Sequence, residues 1–382
     1  MIIRDIEQVI RGRIGKGKAI IITGARQVGK TTLLKHILSD YRQNETQFWN
    51  CDEPDIRLIL QNANSGQLKA MAGKSKIIVI DEAQRIQGIG LTLKLLHDSM
   101  PHIQLAITGS SSLDLSDTIK EPLTGRKFEY SLYPFSTAEL ARNSSQIEEM
   151  RMLNSRLVYG FYPDVVNNPG DEQEILMNLA SSYLYKDVFE FQGIRKHSVI
   201  EKLLQALALQ VGSEVSFNEL GRLLGINVLT VQKYVDLLEK AYIVFHLSSY
   251  SRNLRNELKK SIKIYFYDNG IRNSIIANFS MPDLRSDIGA LWENFLISER
   301  IKNNAFNNIK ARHYFWRTTQ KQEIDFLEEK NGIIQAWEFK YSEKKGNAKC
   351  PVTFAKAYPE IKYGVITREN YFGFVSGENQ GQ

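Results

Sequence analysis

The sequence predicts an α/β protein that begins with a parallel sheet covered by helices on both faces. Apolar runs such as Lys76–Ile80 (KIIVI) and Gln104–Thr108 (QLAIT) alternate with helical segments, which is typical of buried parallel strands. Another run, Lys18–Thr23 (KAIIIT), leads directly into a glycine-rich turn and then a helix. The 382 residues, 43% hydrophobic and 24% charged, indicate a folded chain of two or three domains.

Composition restricts the classes of function only mildly. The formal net charge of +6 and the pI near 9.0 favour an anionic partner such as nucleic acid, although a slightly basic globular protein fits equally well. The two cysteines, Cys51 and Cys350, predict neither a metal cluster nor a disulfide framework. The sequence shows no signal peptide and no run of about 18 apolar residues, so we expect a cytoplasmic protein without a membrane span.

A phosphate-binding motif follows the first strand. Residues 24–31 read Gly-Ala-Arg-Gln-Val-Gly-Lys-Thr and match G-x-x-x-x-G-K-[ST] in full, with a strand before and a helix after. The glycines allow backbone N–H groups to surround a phosphate, and the helix start favours an anion. In this pattern Lys30 reaches the β- and γ-phosphates and Thr31 binds Mg²⁺. The candidate nucleotide-binding residues are Gly24, Ala25, Arg26, Gln27, Val28, Gly29, Lys30, Thr31 and Thr32.

Acidic and hydroxyl side chains follow two further strands. Asp81 and Glu82 come directly after Lys76–Ile80, at the sheet edge where ligands bind. Asp81 would hold Mg²⁺ and Glu82 would act as general base on the attacking water. Where the next strand ends, Ser110 is the first candidate for orienting that water and Thr108 the second.

Several motifs together resemble a known family. GARQVGKTTLL, VIDEAQ, LAITGSSS and LTGRKFEYSLYPFSTAEL are similar to the AAA+ ATPases of bacteria and archaea that carry a C-terminal DUF4143 domain. The resemblance implies ATP and Mg²⁺ as cofactors and Arg126 as an arginine finger, acting in cis or on a neighbouring subunit. It also implies that Gly160 and Pro163 belong to a helical lid close to the nucleotide.

The chain is expected to hold four segments. Residues 1–136 form the P-loop AAA+ parallel-sheet domain, 137–197 the helical lid, 198–272 a winged helix-turn-helix and 273–382 a restriction-endonuclease-like domain. In the middle segment, Ser216 and Glu219 predict a helix cap and Gly225 a turn. A second helix is predicted over residues 227–240, followed by two strands that pair as the wing.

DNA is the partner that this middle segment predicts. The second helix of such a motif can enter a major groove, but its face offers few cations. The basic residues lie instead in the hairpin, where they could contact phosphates: Arg252, Arg255, Lys259 and Lys260.

A hairpin in the last segment predicts a second acidic site. Asn331-Gly332 is a strong turn signal, and the implied register puts Asp325 opposite Glu338 and Glu323 opposite Lys340. Because opposed carboxylates repel unless a cation lies between them, we expect Mg²⁺ or Mn²⁺ there. Phe326, Trp337, Ile324 and Phe339 should occupy the other face.

A helix acid would complete that site. At about 100° per residue, Glu299 falls within the apolar stripe of its helix, whereas Glu293 should be more exposed. Glu299, Asp325 and Glu338 with Lys340 resemble the PD-(D/E)xK nucleases, as DUF4143 domains do. In this chain Ile324 replaces the proline of that pattern.

These observations favour a DNA-directed ATPase that couples nucleotide state to a winged helix and a nuclease-like domain. A homo-oligomer is also expected. One alternative is a nucleotide-dependent interaction switch whose nuclease-like domain is inactive. Another is a small-molecule kinase, against which the Asp81–Glu82 pair and the long C-terminal half argue.

Overall fold

A computed structural model describes residues 1–109, 122–182, 197–251, 261–342 and 348–377. These residues fall into two compact units. The first comprises Met1, Ile3–Pro134 and Lys240–Tyr242. The second comprises Ile2, Phe135–Glu239 and Ile243–Gln382.

The first unit alternates helices with strands. Its elements, in chain order, are α1 (Ile6–Arg11), β1 (Ala19–Thr23), α2 (Lys30–Leu38), β2 (Thr46–Asn50), α3 (Pro54–Asn62), α4 (Ser65–Ala72), β3 (Ile77–Asp81), α5 (Ile89–Ser99), β4 (Gln104–Gly109) and β5 (Lys127–Ser131).

A five-stranded sheet with the order β2-β3-β4-β1-β5 forms the centre of this unit, and every pairing is parallel. All residues of β3 and β4 are buried, because helices cover both faces. The predicted parallel α/β sheet is therefore confirmed. Since parallel strands end at one edge, the ends of β1, β3 and β4 lie side by side there.

The second unit begins with helices. These are α6 (Thr137–Asn143), α7 (Gln146–Arg151), α8 (Leu153–Tyr159), α9 (Pro163–Asn167), α10 (Glu172–Ser182) and α11 (His197–Leu209). There follow β6 (Glu214–Val215), α12 (Phe217–Leu224), α13 (Val228–Lys240), β7 (Val244–Ser249), β8 (Ile262–Phe266), α14 (Asn269–Ile275) and α15 (Ile288–Phe306). The last elements are β9 (Arg312–Arg317), β10 (Glu323–Lys330), β11 (Ile333–Phe339), α16 (Val352–Ala357), β12 (Lys362–Ile366) and α17 (Tyr371–Ser376).

One seven-stranded sheet, with the order β12-β11-β10-β9-β7-β8-β6, runs through the second unit. Strand β7 pairs in parallel with β9, where Ser248 lies beside Tyr314 and Ser249 beside Phe315. A boundary after residue 272 was expected, but backbone hydrogen bonds join strands from both sides of it. The segments expected as middle and C-terminal domains therefore share one sheet.

The helix–turn–helix within this unit forms as its local sequence predicts. The Ser216 side chain accepts a hydrogen bond from the Glu219 N–H and caps α12. Gly225 ends α12 in the left-handed conformation, with φ of 66°. The next helix, α13, buries Val231, Val235 and Leu238.

Over the described ranges, none of the helices is long and apolar enough to cross a membrane.

Candidate functional site

The glycine-rich loop between β1 and α2 has a backbone that only glycine permits at two positions. A Cβ atom on Gly24 would lie 2.1 Å from the carbonyl oxygen of Leu132. Gly29, immediately before α2, has φ of 94°, in the left-handed region. The loop therefore passes close to its neighbouring segment and then turns sharply into the helix.

Lys30 folds back over this loop. Its ammonium donates to the carbonyl oxygens of Gly24 (2.9 Å) and Ala25 (2.8 Å), and the residue is 4% exposed. The N–H groups of the first turn of a helix point towards its N-terminus, where an anion is bound favourably. The Lys30 ammonium and the N-terminus of α2 thus follow the same loop.

Thr31 and Asp81 are in direct contact. The Thr31 hydroxyl lies 3.1 Å and 2.9 Å from the two carboxylate oxygens of Asp81, which is 5% exposed. Both residues contribute hard oxygen atoms of the kind that Mg²⁺ prefers. The residues that would hold the magnesium of a nucleotide therefore fit it.

Thr108 joins the two strands that carry this site. Its hydroxyl, fully buried, donates to Asp81 and accepts the backbone N–H of Glu82 at 2.9 Å. Of the two hydroxyl residues that were candidates for orienting the water, the structure thus places the second, Thr108, at the site. The first, Ser110, lies outside the described residues.

Glu82 has a left-handed backbone, with φ of 55°. Its carboxylate accepts a hydrogen bond from the Gln84 side-chain amide at 2.5 Å. Few residues other than glycine adopt such a φ, and strain of this kind is frequent at functional sites. The arrangement holds the Glu82 carboxylate at the sheet edge next to Asp81.

The structure does not bring Arg126 to this loop. Arg126 immediately precedes β5, and its carbonyl accepts the N–H of Ala19, where β1 begins. At about 3.3 Å per strand residue, that edge is roughly 13 Å from the loop. Its side chain forms an ion pair with Asp98 at 3.3 Å. Of the two expected alternatives, action of Arg126 in cis does not fit this position, because parallel strands put the beginning of β5 at the opposite edge. Its role as an arginine finger stays a prediction.

A residue that the sequence did not indicate, Arg4, supports the loop. It is 5% exposed and donates to the carbonyl oxygens of Val28 (2.8 Å) and Tyr133 (2.7 Å). Nothing in the local sequence distinguishes this arginine from a surface residue. Its role follows only from the contacts.

Gly160 and Pro163 have a structural explanation within the second unit. Gly160 ends α8 with φ of 70°, and a Cβ atom there would lie 2.1 Å from the carboxylate of Asp268. That carboxylate accepts the N–H of Phe161 at 2.7 Å. Pro163 begins α9, at a position where proline is favourable. Their expected role near the nucleotide stays a prediction.

The predicted hairpin register is confirmed where the strands pair. Lys330 lies opposite Ile333 and Phe326 opposite Trp337. Asp325 accepts a hydrogen bond from the N–H of Phe339 at 2.7 Å, and Glu338 forms an ion pair with Lys340.

A β-bulge in β10 changes which side chains share a face of the hairpin, compared with the prediction. Ile324 pairs with Trp316 but Leu327 pairs with Tyr314, so two residues of β10 oppose one residue of β9. Ile324 consequently packs with Leu327 instead of with Phe326. Phe326 contacts Phe339, Trp337 and Phe374.

Glu299 is not the helix acid of this group. It is 1% exposed, as predicted, but it pairs with the Lys302 ammonium at 2.8 Å and accepts the N–H of Thr137 at 2.6 Å. The acid that acts electrostatically on Asp325 is Glu293. The two glutamates are six residues apart, and therefore face directions about 120° apart on the helix.

An unpredicted lysine lies among the carboxylates. Lys263, on β8, is 2% exposed, and its ammonium contacts Glu293 at 3.1 Å and also Glu323. Tyr265 donates to the same oxygen of Glu293 at 2.6 Å. Glu323, expected opposite Lys340, is thus paired with Lys263.

These contacts shift the ionisation of the group. Burial, together with Glu293 and Glu338, raises the pKa of Asp325 well above its usual value. Burial alone would lower the pKa of Lys263, but Glu293 and Glu323 outweigh it and raise that pKa. Among the described residues, His, Cys, Asp and Glu side chains nowhere form a group of three placed to hold a metal ion. With Lys263 in place, the acidic group does not fit the metal that the nuclease resemblance implies.

The exposed face of α13 carries little net charge. It presents Leu229, Gln232, Lys233 and Asp236. The basic hairpin residues Arg252, Arg255, Lys259 and Lys260 lie outside the part of the chain that the structure describes.

Three family models match the chain. An AAA domain matches residues 16–141, the domain of unknown function DUF8612 matches residues 150–282, and the domain of unknown function DUF4143 matches residues 288–379.

Relatives come from bacteria and archaea. An uncharacterized protein of Mycobacterium tuberculosis is 28% identical over 342 residues, covering 88% of this chain and 73% of the relative. One from Haemophilus influenzae is 26% identical over 338 residues, covering 81% and 79%. One from Methanocaldococcus jannaschii is 29% identical over 301 residues, covering 68% and 63%.

Solved structures resemble the chain only distantly. The Pif1 helicase from Candida albicans has a TM-score of 0.28 at 14% identity, covering 56% of each chain. Drosophila ORC bound to GC-rich DNA and Cdc6 has a TM-score of 0.25 at 14% identity, covering 71% of this chain and 92% of that one. This chain therefore spans little more than half of the Pif1 helicase.

Proposed function

This chain is an AAA-domain protein with a C-terminal DUF4143 domain, and on that premise we propose that it binds ATP with Mg²⁺ and hydrolyses it. The observation that carries the proposal is the hydrogen bond between Thr31 and Asp81, at 2.9 Å, next to the loop over which the Lys30 side chain folds. Lys30 would bind the phosphates, Thr31 and Asp81 would bind the magnesium ion, and Glu82, which follows Asp81, would act on the attacking water.

Lys30 would exchange its loop carbonyl partners for phosphate oxygens. Its bonds to Gly24 and Ala25 keep the ammonium satisfied while it is buried. Magnesium bound with ATP would neutralise phosphate charge, and Thr31 and Asp81 would hold it. The first N–H groups of α2 would receive the phosphate oxygens that Lys30 does not reach.

Glu82 would take the proton of the attacking water. Its hydrogen bond from Gln84 orients the carboxylate, and the bond from its own N–H to Thr108 fixes the backbone. A positioned general base contributes a factor of about 10² to 10⁴ to a rate. We therefore expect Glu82→Gln to bind ATP normally and to hydrolyse it at least about a hundredfold more slowly.

The test compares variants by binding of a fluorescent ATP analogue and by phosphate release without an added acceptor. Lys30→Ala should lose binding, because the ammonium that contacts the phosphates is gone. Lys35→Ala is the matched control, since Lys35 is exposed on the same helix. Unchanged affinity in Lys30→Ala would refute the proposal, and phosphate transfer only to an added acceptor would indicate a kinase.

Hydrolysis of ATP would change whether the second unit can interact with a partner. The limited charge on the exposed face of α13, with one lysine and one aspartate, favours a switch over a reader of base sequence. A DNA-directed role is the second candidate, supported by the winged-helix order of α12, α13, β7 and β8 and by the net charge of +6.

DNA binding is testable by the fluorescence anisotropy of a labelled duplex, with and without a non-hydrolysable ATP analogue. A DNA-directed protein would bind in a salt-dependent manner, because phosphate contacts release counterions. Salt-independent or undetectable binding of the duplex in every nucleotide state would exclude the DNA-directed role and favour the interaction switch.

Arg126 would act on a neighbouring subunit if the protein forms a homo-oligomer. Arg126→Ala alone and Lys30→Ala alone would then have little ATPase activity, while a mixture of the two would recover part of it. A mixture no more active than its components would exclude this role.

A further inference from the structure

The acidic group on the second unit contains more negative than positive side chains. Glu293, Glu323, Asp325 and Glu338 interact with one another or with a shared lysine. Carboxylates this close repel unless cations compensate them. Whatever compensates them decides what this group of residues can bind.

Lys263 supplies the central compensation. Its ammonium is almost completely buried and contacts two of the carboxylates, Glu293 and Glu323, while Asp325 also acts on it electrostatically. The side chain projects from the inner strand β8, and its ammonium lies 5.3 Å from the centre of the Phe315 ring. A lysine fixed in this way cannot move into solvent without breaking both ion pairs.

Three of the carboxylates that a metal would need already accept hydrogen bonds within the protein. The Glu293 oxygen that meets Lys263 also accepts the Tyr265 hydroxyl. An Asp325 oxygen accepts the N–H of Phe339, and Glu338 pairs with Lys340. Each of these carboxylates has therefore found a hydrogen-bond donor within the protein.

We propose that the ammonium of Lys263 takes the place of a divalent metal ion in this group, and that removing this ammonium creates a metal site. Glu293, Glu323 and Asp325 would then offer carboxylate oxygens to one cation, a ligand set that suits Mg²⁺ or Mn²⁺. The wild-type group accordingly binds no divalent metal and does not cleave phosphodiesters. This inference does not depend on ATP hydrolysis by the first unit.

The experiment measures Mn²⁺ binding to the nucleotide-free full-length protein, from the electron paramagnetic resonance signal of free Mn²⁺. Lys263→Met keeps the length of the side chain and removes its charge. We expect this variant to bind one Mn²⁺ per chain under conditions in which the wild type binds none. Adding Glu293→Gln to that variant should abolish the binding.

Lys340→Met is the matched control. Lys340 also pairs with a carboxylate of the group, but its side chain is 27% exposed and its ion pair is with Glu338, not with Glu293 or Glu323. If the loss of any neighbouring positive charge were sufficient to create a metal site, Lys340→Met would bind Mn²⁺ as well. That result would refute the specific role of Lys263.

The wild-type protein tests the proposal even if Lys263→Met does not fold. Binding of Mn²⁺ by wild type that Asp325→Asn abolishes would overturn the proposal, as would plasmid cleavage lost in Asp325→Asn. A folded Lys263→Met variant that binds no Mn²⁺ would overturn it too. Thermal unfolding gives an independent readout, because Mn²⁺ should raise the midpoint of Lys263→Met and leave that of the wild type unchanged.

Discussion

Arg4 provides a test of how the nucleotide loop is held. Its guanidinium donates to the carbonyl oxygens of Val28, inside the loop, and of Tyr133, in the segment after β5. Arg4→Met keeps most of the side-chain volume but removes both of these hydrogen bonds, together with a longer one to the carbonyl oxygen of Pro134 at 3.5 Å. The two carbonyl groups would then stay buried without this donor.

The expected loss in the free energy of unfolding follows from the hydrogen bonds to Val28 and Tyr133. A hydrogen bond to a charged group contributes about 1.5 to 3 kcal/mol, so the pair is worth about 3 to 6 kcal/mol. Because the methionine fills part of the space, we expect the lower value, about 3 kcal/mol, and a fall of about 10 °C in the unfolding midpoint. ATP affinity should also fall, since the loop that receives the phosphates loses its support.

The assay is thermal unfolding with and without an ATP analogue, because the analogue raises the midpoint of the unit that binds it. Arg11→Ala is the control: Arg11 forms partly exposed ion pairs with Glu7 and Asp40, worth less than about 1 kcal/mol. An Arg4→Met protein with the midpoint and ATP affinity of the wild type would refute the assigned role.

Two further variants probe buried polar contacts. Thr108→Val should reduce hydrolysis more than ATP affinity, as judged by phosphate release and analogue binding, because its hydroxyl positions Asp81 and the backbone of Glu82. Glu328→Gln should destabilise the second unit by about 3 kcal/mol near neutral pH, because it leaves the buried Arg300 guanidinium without its carboxylate. Burial raises the pKa of Glu328, but hydrogen bonds from His313 and Arg300 outweigh it and lower the pKa from 4.5 to about 2. The stabilisation is therefore complete above pH 4.5 and lost as the pH falls towards 2, so the difference in unfolding midpoint between wild type and variant should narrow over that interval.

Each of these variants has a neighbour for comparison. Thr92→Val removes another buried hydroxyl, one that donates to the carbonyl of Leu60, and should affect stability without a specific effect on hydrolysis. Glu329→Gln changes the adjacent, partly exposed glutamate. It should leave the pH dependence of the unfolding midpoint as in the wild type. Equal hydrolysis in Thr108→Val and wild type, or a constant difference in midpoint for Glu328→Gln, would contradict the predictions.

Local features were predictable because short-range chemistry determines them. The loop at residues 24–31, the strands around it and the Asn331–Gly332 turn depend on residues adjacent in sequence. Parallel strand order also places Asp81 and Thr108 at the edge where the loop lies. The same geometry, applied to β5, places Arg126 at the opposite edge.

The choice of helix acid was not predictable in this way. The apolar stripe of α15 indicated one buried face, but the helix is buried nearly all round, and Glu299 and Arg300 are both almost inaccessible. Periodicity gives the direction of a side chain relative to the helix axis, but not which neighbour that direction meets. Lys263, far away in sequence, carries no local signal of its place among the carboxylates.

By itself the sequence determined that a glycine-rich loop of the phosphate-binding pattern joins β1 to α2 and that Asp325 and Glu338 meet on one hairpin. Both depend on backbone geometry over a few residues. Only the tertiary structure decided that β8 joins the sheet containing that hairpin and brings Lys263 between Glu293 and Glu323. Contacts between segments distant in sequence depend on how whole elements pack, and here that packing adds an ammonium to the group of carboxylates at which a metal was expected.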